Sequence, residues 1–393
     1  MSVQGGHGAP GRESSRLDVL ADLAAEMQAR IVPPLCGEQQ FEPSFPPFDP
    51  DLPDADALHF GIPPSPPDPA ARQLWQRMVA PPLRILPFRP EDVRLRSDIV
   101  HGLLRGFGQG EDRADAGPEQ AGAAAPPGRL ASSANWSGAA ILARRGERYI
   151  QVLGSWAVPA VRAGKGDGPW VCSTWIGLDG LRRWMTSMPQ MGTTQSLGDT
   201  GEGQPANFPW FQWWLRGRSL QLPVPINIHV SPGDRVYCAV TRLPVNQPQP
   251  GQENHVQFFF RNGSTATHLV YRAPPDDRMG APVPSRGASA QWILERPTAL
   301  HDSPNGKVAE GDLYPLPDFA VAGPDSFAAS LAPSPDFAPV VATLEAPALA
   351  PSLGFRTPRL LRMVERLRGP ARVAVIAVPS RDTVRPIRVT YRG

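Results

Sequence analysis

Lysine, cysteine and long apolar runs are what this 393-residue sequence has least of. Only Lys165 and Lys307 are lysines, so the basic residues are almost all arginine, a compositional bias and not a nucleic-acid signature. The three cysteines, Cys36, Cys172 and Cys238, form neither a disulfide framework nor a CxxC or Cys/His spacing for zinc. Cys172 and Cys238 lie in strand-like runs, and two buried free thiols are expected. No apolar run reaches the ~18 residues of a membrane-spanning helix, so none is expected. The seven histidines are scattered singly and no GxSxG elbow occurs, which leaves Ser/His and Cys/His catalysis without local support. No Gly-rich phosphate loop, EF-hand or nucleic-acid motif stands out, so no metal and no cofactor is implied. The N-terminus, MSVQGGHGAPGRESSR, lacks the charged-then-apolar pattern of a secretory signal.

Proline, by contrast, is abundant: 49 residues, so long parts of the chain must be extended, looped or disordered. The charge is split. Residues 1–128 carry 11 Arg against 18 Asp and Glu, or −7, whereas 129–393 carry +9, for a net +2. Opposite signs allow the N-terminal segment to dock on the rest, and a solvated acidic tail is the other reading. Residues 1–128 form one compositional zone, a largely non-globular N-terminal extension and candidate pro-segment. It contains an amphipathic helical pattern after Ser15, a Pro-rich stretch Pro33–Pro69, helical patterns at Ala71–Val79 and Glu91–Phe107, and a linker Glu111–Gly128.

From Asn135 the periodicity becomes that of strands, and nine of the ten tryptophans fall between Trp136 and Trp292. Strands are predicted at Tyr149–Val158, Val171–Gly177, Phe208–Leu215, Leu220–Val224, Ile226–Val230, Arg235–Thr241, His255–Arg261, Thr265–Arg272 and Ser289–Glu295. Asn262-Gly263 and Ser231-Pro232-Gly233-Asp234 supply turns between strands. Ser334–Arg356 reads as loops, Arg359–Arg368 as a short basic helix, and Val373–Val378 and Ile387–Tyr391 as closing strands. Many short strands with regular turns make residues 129–393 an all-β domain, a two-sheet antiparallel β-sandwich.

Three features could carry chemistry. In WIGLDGLRRWMTSMPQMG (175–192), Asp179-Gly180 marks a reversal, and Gln190 then stands between two methionines just before Gly192. Taken alone, Gln190 is a turn glutamine. In SAQWILERP (289–297), alternation puts Gln291, Ile293 and Glu295 on one face, where Glu295 either breaks that face or lines a groove, and a rim salt bridge with Arg296 is the plain alternative. Trp210, Trp213 and Trp214 in PWFQWWL could fill a core or form a platform for an extended polymer.

Taken in order, NWSG (135–138), GSWAVP (154–159), WIGLDG (175–180), PQMG (189–192), WFQWW (210–214), PGD (232–234), AQWILE (290–295) and PDF (317–319) with Phe327 resemble the glutamic peptidase (eqolisin) family. The resemblance covers about Ser133–Phe327. It implies two long, curved antiparallel sheets of concanavalin-like form with a concave substrate groove, and a catalytic dyad of Gln190 and Glu295. It implies supporting or substrate-binding roles for Trp136, Trp175, Asp179, Trp210 and Gln212. The expected activity is an endopeptidase acting on a protein or peptide substrate as a monomer, with neither nucleic acid nor membrane as partner. A glutamate base has an ordinary pKa of about 4.3, which points to acidic working conditions. Two family carboxylates are amides here, Gln212 and Gln291, which weakens that expectation. Secretion is implied by the family and a cytoplasmic location by the missing signal. The rival reading is a non-catalytic sandwich gripping polysaccharide or peptide on its tryptophans.

Overall fold

The computed structural model describes Leu58, residues 61–80 and 84–85, and, short interruptions aside, 131–198, 206–243, 254–333, 359–379 and 389–392. The helical patterns after Ser15 and at Glu91–Phe107, the linker Glu111–Gly128, the loops of Ser334–Arg356 and Cys36 lie outside the described residues.

Among the described residues helix α1 (Pro69–Val79) precedes the strands, its start fixed by Asp68, whose Oδ1 accepts from the Ala71 N–H at 2.9 Å, and by proline in the first turn. The strands that follow are β1 (Arg84–Ile85), β2 (Ala131–Ser133), β3 (Trp136–Leu142), β4 (Glu147–Ala157), β5 (Trp170–Leu178) and β6 (Ser187–Leu197). Then come β7 (Ala206–Leu215), β8 (Val224–Pro225), β9 (Arg235–Arg242), β10 (Val256–Asn262), β11 (Thr267–Ala273) and β12 (Ser289–Glu295). The last are β13 (Thr298–Asp302), β14 (Val308–Leu313), β15 (Ser326–Pro333), β16 (Arg359–Arg366), β17 (Val373–Pro379) and β18 (Val389–Tyr391).

Two sheets result. The smaller runs β1-β11-β10-β9-β4-β15; the larger runs β18-β17-β16-β3-β12-β5-β6-β7-β8, with β2 beside β16. Strands β13 and β14 form a separate ribbon. Between the sheets lies the main core, built from the alternate residues that face inward, among them Trp156, Ile176, Met191, Phe211, Phe258 and Trp292. Cys172 and Cys238 sit in this core as free thiols, and burial pushes both up and out of reach of ionisation.

Two expectations are corrected. Arg359–Arg366 is a strand paired with β3 and β17, not a helix. Its apolar residues Leu360, Leu361 and Met363 fit either period over so short a run, and the open edge of β3 decides the outcome. The described residues of Ile226–Val230 form no strand, the short β8 ending just before them, although Ile226, Ile228 and Val230 lie in the core.

The outer face of the smaller sheet is covered by the chain's own N-terminal segment. The register there aligns two rows. Leu153, Ala239, Phe259 and Val270 make an apolar row, on which Leu74, Trp75, Met78 and Val79 of α1 and Ile62 are packed. Gln151, Thr241, Gln257 and Arg272 make the next row, a buried polar one. Those side chains meet main-chain carbonyls of the extended stretch ahead of α1. Gln151 donates to Pro64 (3.1 Å), Gln257 to Gly61 (3.0 Å), and Arg272 to Leu58. Arg261 caps the other end by donating to the Met78 carbonyl at 2.8 Å, where α1 exposes unpaired acceptors. The contact uses carbonyl acceptors and buried apolar side chains.

Candidate active site

The opposite, outer face of the larger sheet carries the residues singled out from the sequence. Alternation fixes this: Trp292, Leu294, Cys172, Ile176, Met191, Phe211 and Trp213 point into the core, so their neighbours Ile293, Glu295, Trp175, Gln190, Gln212 and Trp210 point away from it. Cross-strand register then arranges them in three rows. The first is Gln291–Gly177–Gln190–Gln212. The second is Ile293–Trp175–Gly192–Trp210. The third is Trp136–Glu295–Ser173–Thr194. Gln190 and Glu295 therefore share one face, on strands separated only by β5, with Trp175 in the row between them. Both are buried, at 0% and 4% exposure.

Glu295 is held by two N–H donors. The Trp175 indole donates to Oε2 at 2.7 Å, and the Asn135 amide donates to Oε1 at 3.3 Å. Asn135 is itself oriented by Ser133, whose Oγ donates to Asn135 Oδ1 at 3.1 Å and accepts from the Trp136 N–H at 3.1 Å. Trp136 packs edge-on against Trp175, with centroids 5.2 Å apart. A carboxylate that accepts from both sides is arranged for its ionised, proton-accepting form. Arg296, which follows β12, pairs with Glu365 at 3.4 Å.

Gln190 donates from Nε2 to Gln212 Oε1 at 2.6 Å, while its own Oε1 is buried with no hydrogen-bond partner. Gln190 sits inside β6, not in a turn. The reversal at Asp179-Gly180 is real: Asp179 has φ 64° and Gly180 φ 83°. The Asp179 carboxylate gathers the segment before β12, accepting from Ser285 Oγ (2.6 Å) and from the main-chain N–H groups of Arg286 (2.7 Å), Gly287 (3.0 Å) and Ala288 (2.6 Å). Its main-chain carbonyl accepts from Gln291 Nε2. Asp179 thereby ties the start of β12 to the end of β5. Asp179→Ala strips three main-chain N–H groups of their acceptor, at about 1–3 kcal/mol for each left buried and unsatisfied. A fall in melting temperature of several degrees is expected, and an unchanged melt would contradict this role.

The structure thus gathers Trp136, Trp175, Gln190, Trp210, Gln212 and Glu295 on one face, with Asp179 at the end of β5 beside them. Trp213 and Trp214 divide: Trp213 enters the core and Trp214 stays on the site face. Asn135 is the contributor that pattern reading missed. It stands just before β3, opposite the end of β12, where its carbonyl accepts from the Arg296 N–H at 2.9 Å.

The Peptidase A4 family model matches residues 134–332. Similar solved structures include scytalido-glutamic peptidase with a peptide-based transition-state analogue (16% identity, 66% of this chain and 98% of that chain, TM-score 0.42). Another is SCP-B, a member of the eqolisin family in complex with the tripeptide Ala-Ile-His (16% identity, 66% and 98%, TM-score 0.39). A third is aspergilloglutamic peptidase from Aspergillus niger (17% identity, 56% and 99%, TM-score 0.33). No curated protein matches the chain by sequence. The family match takes in every residue of the three rows and just over half of the chain: this protein belongs to the Peptidase A4, or eqolisin, family of peptidases.

Proposed function

We propose that the protein hydrolyses peptide bonds with Glu295 as the general base and acid and Gln190 as the group that receives the oxyanion. The observation that carries this reading is the pairing of opposite capacities on one face. A carboxylate held by the Trp175 and Asn135 N–H donors lies, with one strand between, on the same face as an amide whose orientation is set by Gln212. Glu295 takes a proton from water as it attacks the scissile carbonyl, and later returns that proton to the leaving amine. Gln190 uses the N–H that Gln212 does not occupy to hold the negative oxygen, and does so without titrating. No covalent enzyme intermediate is needed. Trp175 and Trp210 of the second row are buried, and they hold the two halves of the site in place.

The test is cleavage of an unfolded protein substrate from about pH 3 to 7, which brackets the carboxylate range. Glu295→Gln keeps the shape and the acceptor for Trp175 but cannot take a proton; it is expected to lower kcat by about 10²- to 10⁴-fold with the melting temperature kept. Gln190→Ala is expected to cost about 10²- to 10³-fold. A Glu295→Gln enzyme as active as the wild type would overturn the assignment and leave the tryptophan face as a binding surface.

A further inference from the structure

The first row of the site is made of amides: Gln291, Gln190 and Gln212, with Gly177 between the first two. Gln212 accepts from Gln190 Nε2 at 2.6 Å, and both glutamines are buried. Gln190 Oε1 and Gln291 Oε1 are buried without partners. An amide has one fixed acceptor and one fixed donor end, so once Gln212 claims one N–H of Gln190, the second N–H and Oε1 have set directions. A carboxyl at position 212 would behave differently. Protonated, it could pair with either end of the Gln190 amide; ionised, it would bring a negative charge beside the oxygen that becomes anionic during attack.

We infer that Gln212 is a positioning residue for Gln190, and that because it is an amide this positioning, and the oxyanion site it serves, is independent of pH. The inference rests on the reading of Gln190 as the oxyanion donor. It means that the enzyme has the rising limb of a carboxylate base but no falling limb from the donor side of its site, and so stays active toward neutrality.

The charged groups around this row, among the described residues, include Asp179, Arg216, Arg182, Arg286 and Glu295. Asp179, from β5, is engaged by Ser285 and three main-chain N–H groups. Arg216, beyond β7, stacks over Trp214 at 5.1 Å and donates to the carbonyls of Met185 (3.3 Å) and Gly180 (3.1 Å). Arg182 follows Gly180 in the β5–β6 connection, and Arg286 precedes β12. Strands β6 and β8 bring no titratable side chain to the row. Glu295, from β12, is the base itself.

The experiment is the pH dependence of kcat/KM between about pH 3 and 8 for the wild type, Gln212→Glu and Gln212→Met. The wild type is expected to rise and level off. Gln212→Glu is expected to match it within about threefold at the acid end and then to fall roughly 10- to 100-fold as the new carboxyl ionises next to the oxyanion, giving a bell. Gln212→Met fills the space but accepts no hydrogen bond, so kcat should drop about tenfold at every pH with KM little changed. It also keeps the test open if Gln212→Glu does not fold. A Gln212→Glu or Gln212→Met profile that superimposes on the wild type overturns the positioning role, as does a wild-type bell. Full activity in Gln190→Ala would instead overturn the reading of Gln190 on which the inference stands.

Discussion

Deleting residues 1–85 is expected to leave an insoluble or unfolded chain, not an activated enzyme. The stretch ahead of α1 and α1 itself cover the outer face of the smaller sheet, where Leu74, Trp75, Met78, Val79 and Ile62 are buried on Leu153, Ala239, Phe259 and Val270. Each large apolar side chain so buried contributes about 1.5–3 kcal/mol. Five together rival the whole net stability of a domain, about 5–15 kcal/mol. Uncovering the sheet would also strip Gln151, Gln257, Arg261 and Arg272 of the carbonyls they serve. Trp75→Ala alone, which also loses the indole donation to Pro63 at 2.6 Å, should cost about 3–5 kcal/mol. A cut placed within Glu111–Gly128 is different: the N-terminal fragment should remain bound and co-elute with the sandwich on gel filtration. Activity gained on such a cut would have to arise elsewhere, since this docking face is on the sheet that does not carry Glu295. A truncated protein that melts like the full chain would show that the covering segment contributes little.

The second large effect is expected at Gly192. It lies between Trp175 and Trp210 in the middle row, and a Cβ there would collide with the Thr174 carbonyl oxygen and stand 2.6 Å from the Trp175 Cβ. Neither atom is the movable end of a side chain. Overpacking that side chains can absorb costs about 1–3 kcal/mol; a collision with the main chain of a paired strand exceeds that. Gly192→Ala should therefore lower the melting temperature strongly, and by displacing Trp175 should also remove the shorter hydrogen bond to Glu295. Gly177→Ala provides the contrast. Its Cβ would stand 3.0 Å from the Gln190 Cβ and 3.1 Å from the Pro189 carbonyl oxygen, a much shallower overlap than at Gly192, relieved by shifts of a few tenths of an ångström. That variant should fold, with a reduced kcat. Equal melting of Gly192→Ala and wild type would contradict the close approach.

Much of this was legible in the sequence, and the failures have physical causes. The Asn262-Gly263 and Pro232-Gly233-Asp234 turns, β9 to β12 and the helical pattern at Ala71–Val79 follow from period and turn chemistry. That Gln190 lies in a strand was hidden because β6 is buried on both faces, so that SMPQMGTTQSL shows no polar alternation. Glu295 was findable because β12 alternates, yet nothing local says that Asn135, 160 residues earlier, would donate to it. Only the pairing of β3 with β12 brings them together. The polar row of the smaller sheet is similarly invisible: Gln151, Gln257 and Arg272 look like solvent-facing residues until the segment that covers them is in place.

Two indoles cross the sandwich beneath the site. Trp292, between Gln291 and Ile293 on β12, donates through the core to the Leu153 carbonyl of β4 at 2.7 Å. Trp156, on that same β4, donates back to Thr193 Oγ1 of β6, next to Gly192, at 3.0 Å. Each strand that carries one half of the proposed dyad is thus bolted through to a single strand of the sheet below, which makes β4 a common keel. Motions that would slide β12 against β6 must first break one of these bolts. The floor beneath the site is therefore a rigid one, braced from below by two hydrogen bonds that no side-chain rearrangement on the site face can reach.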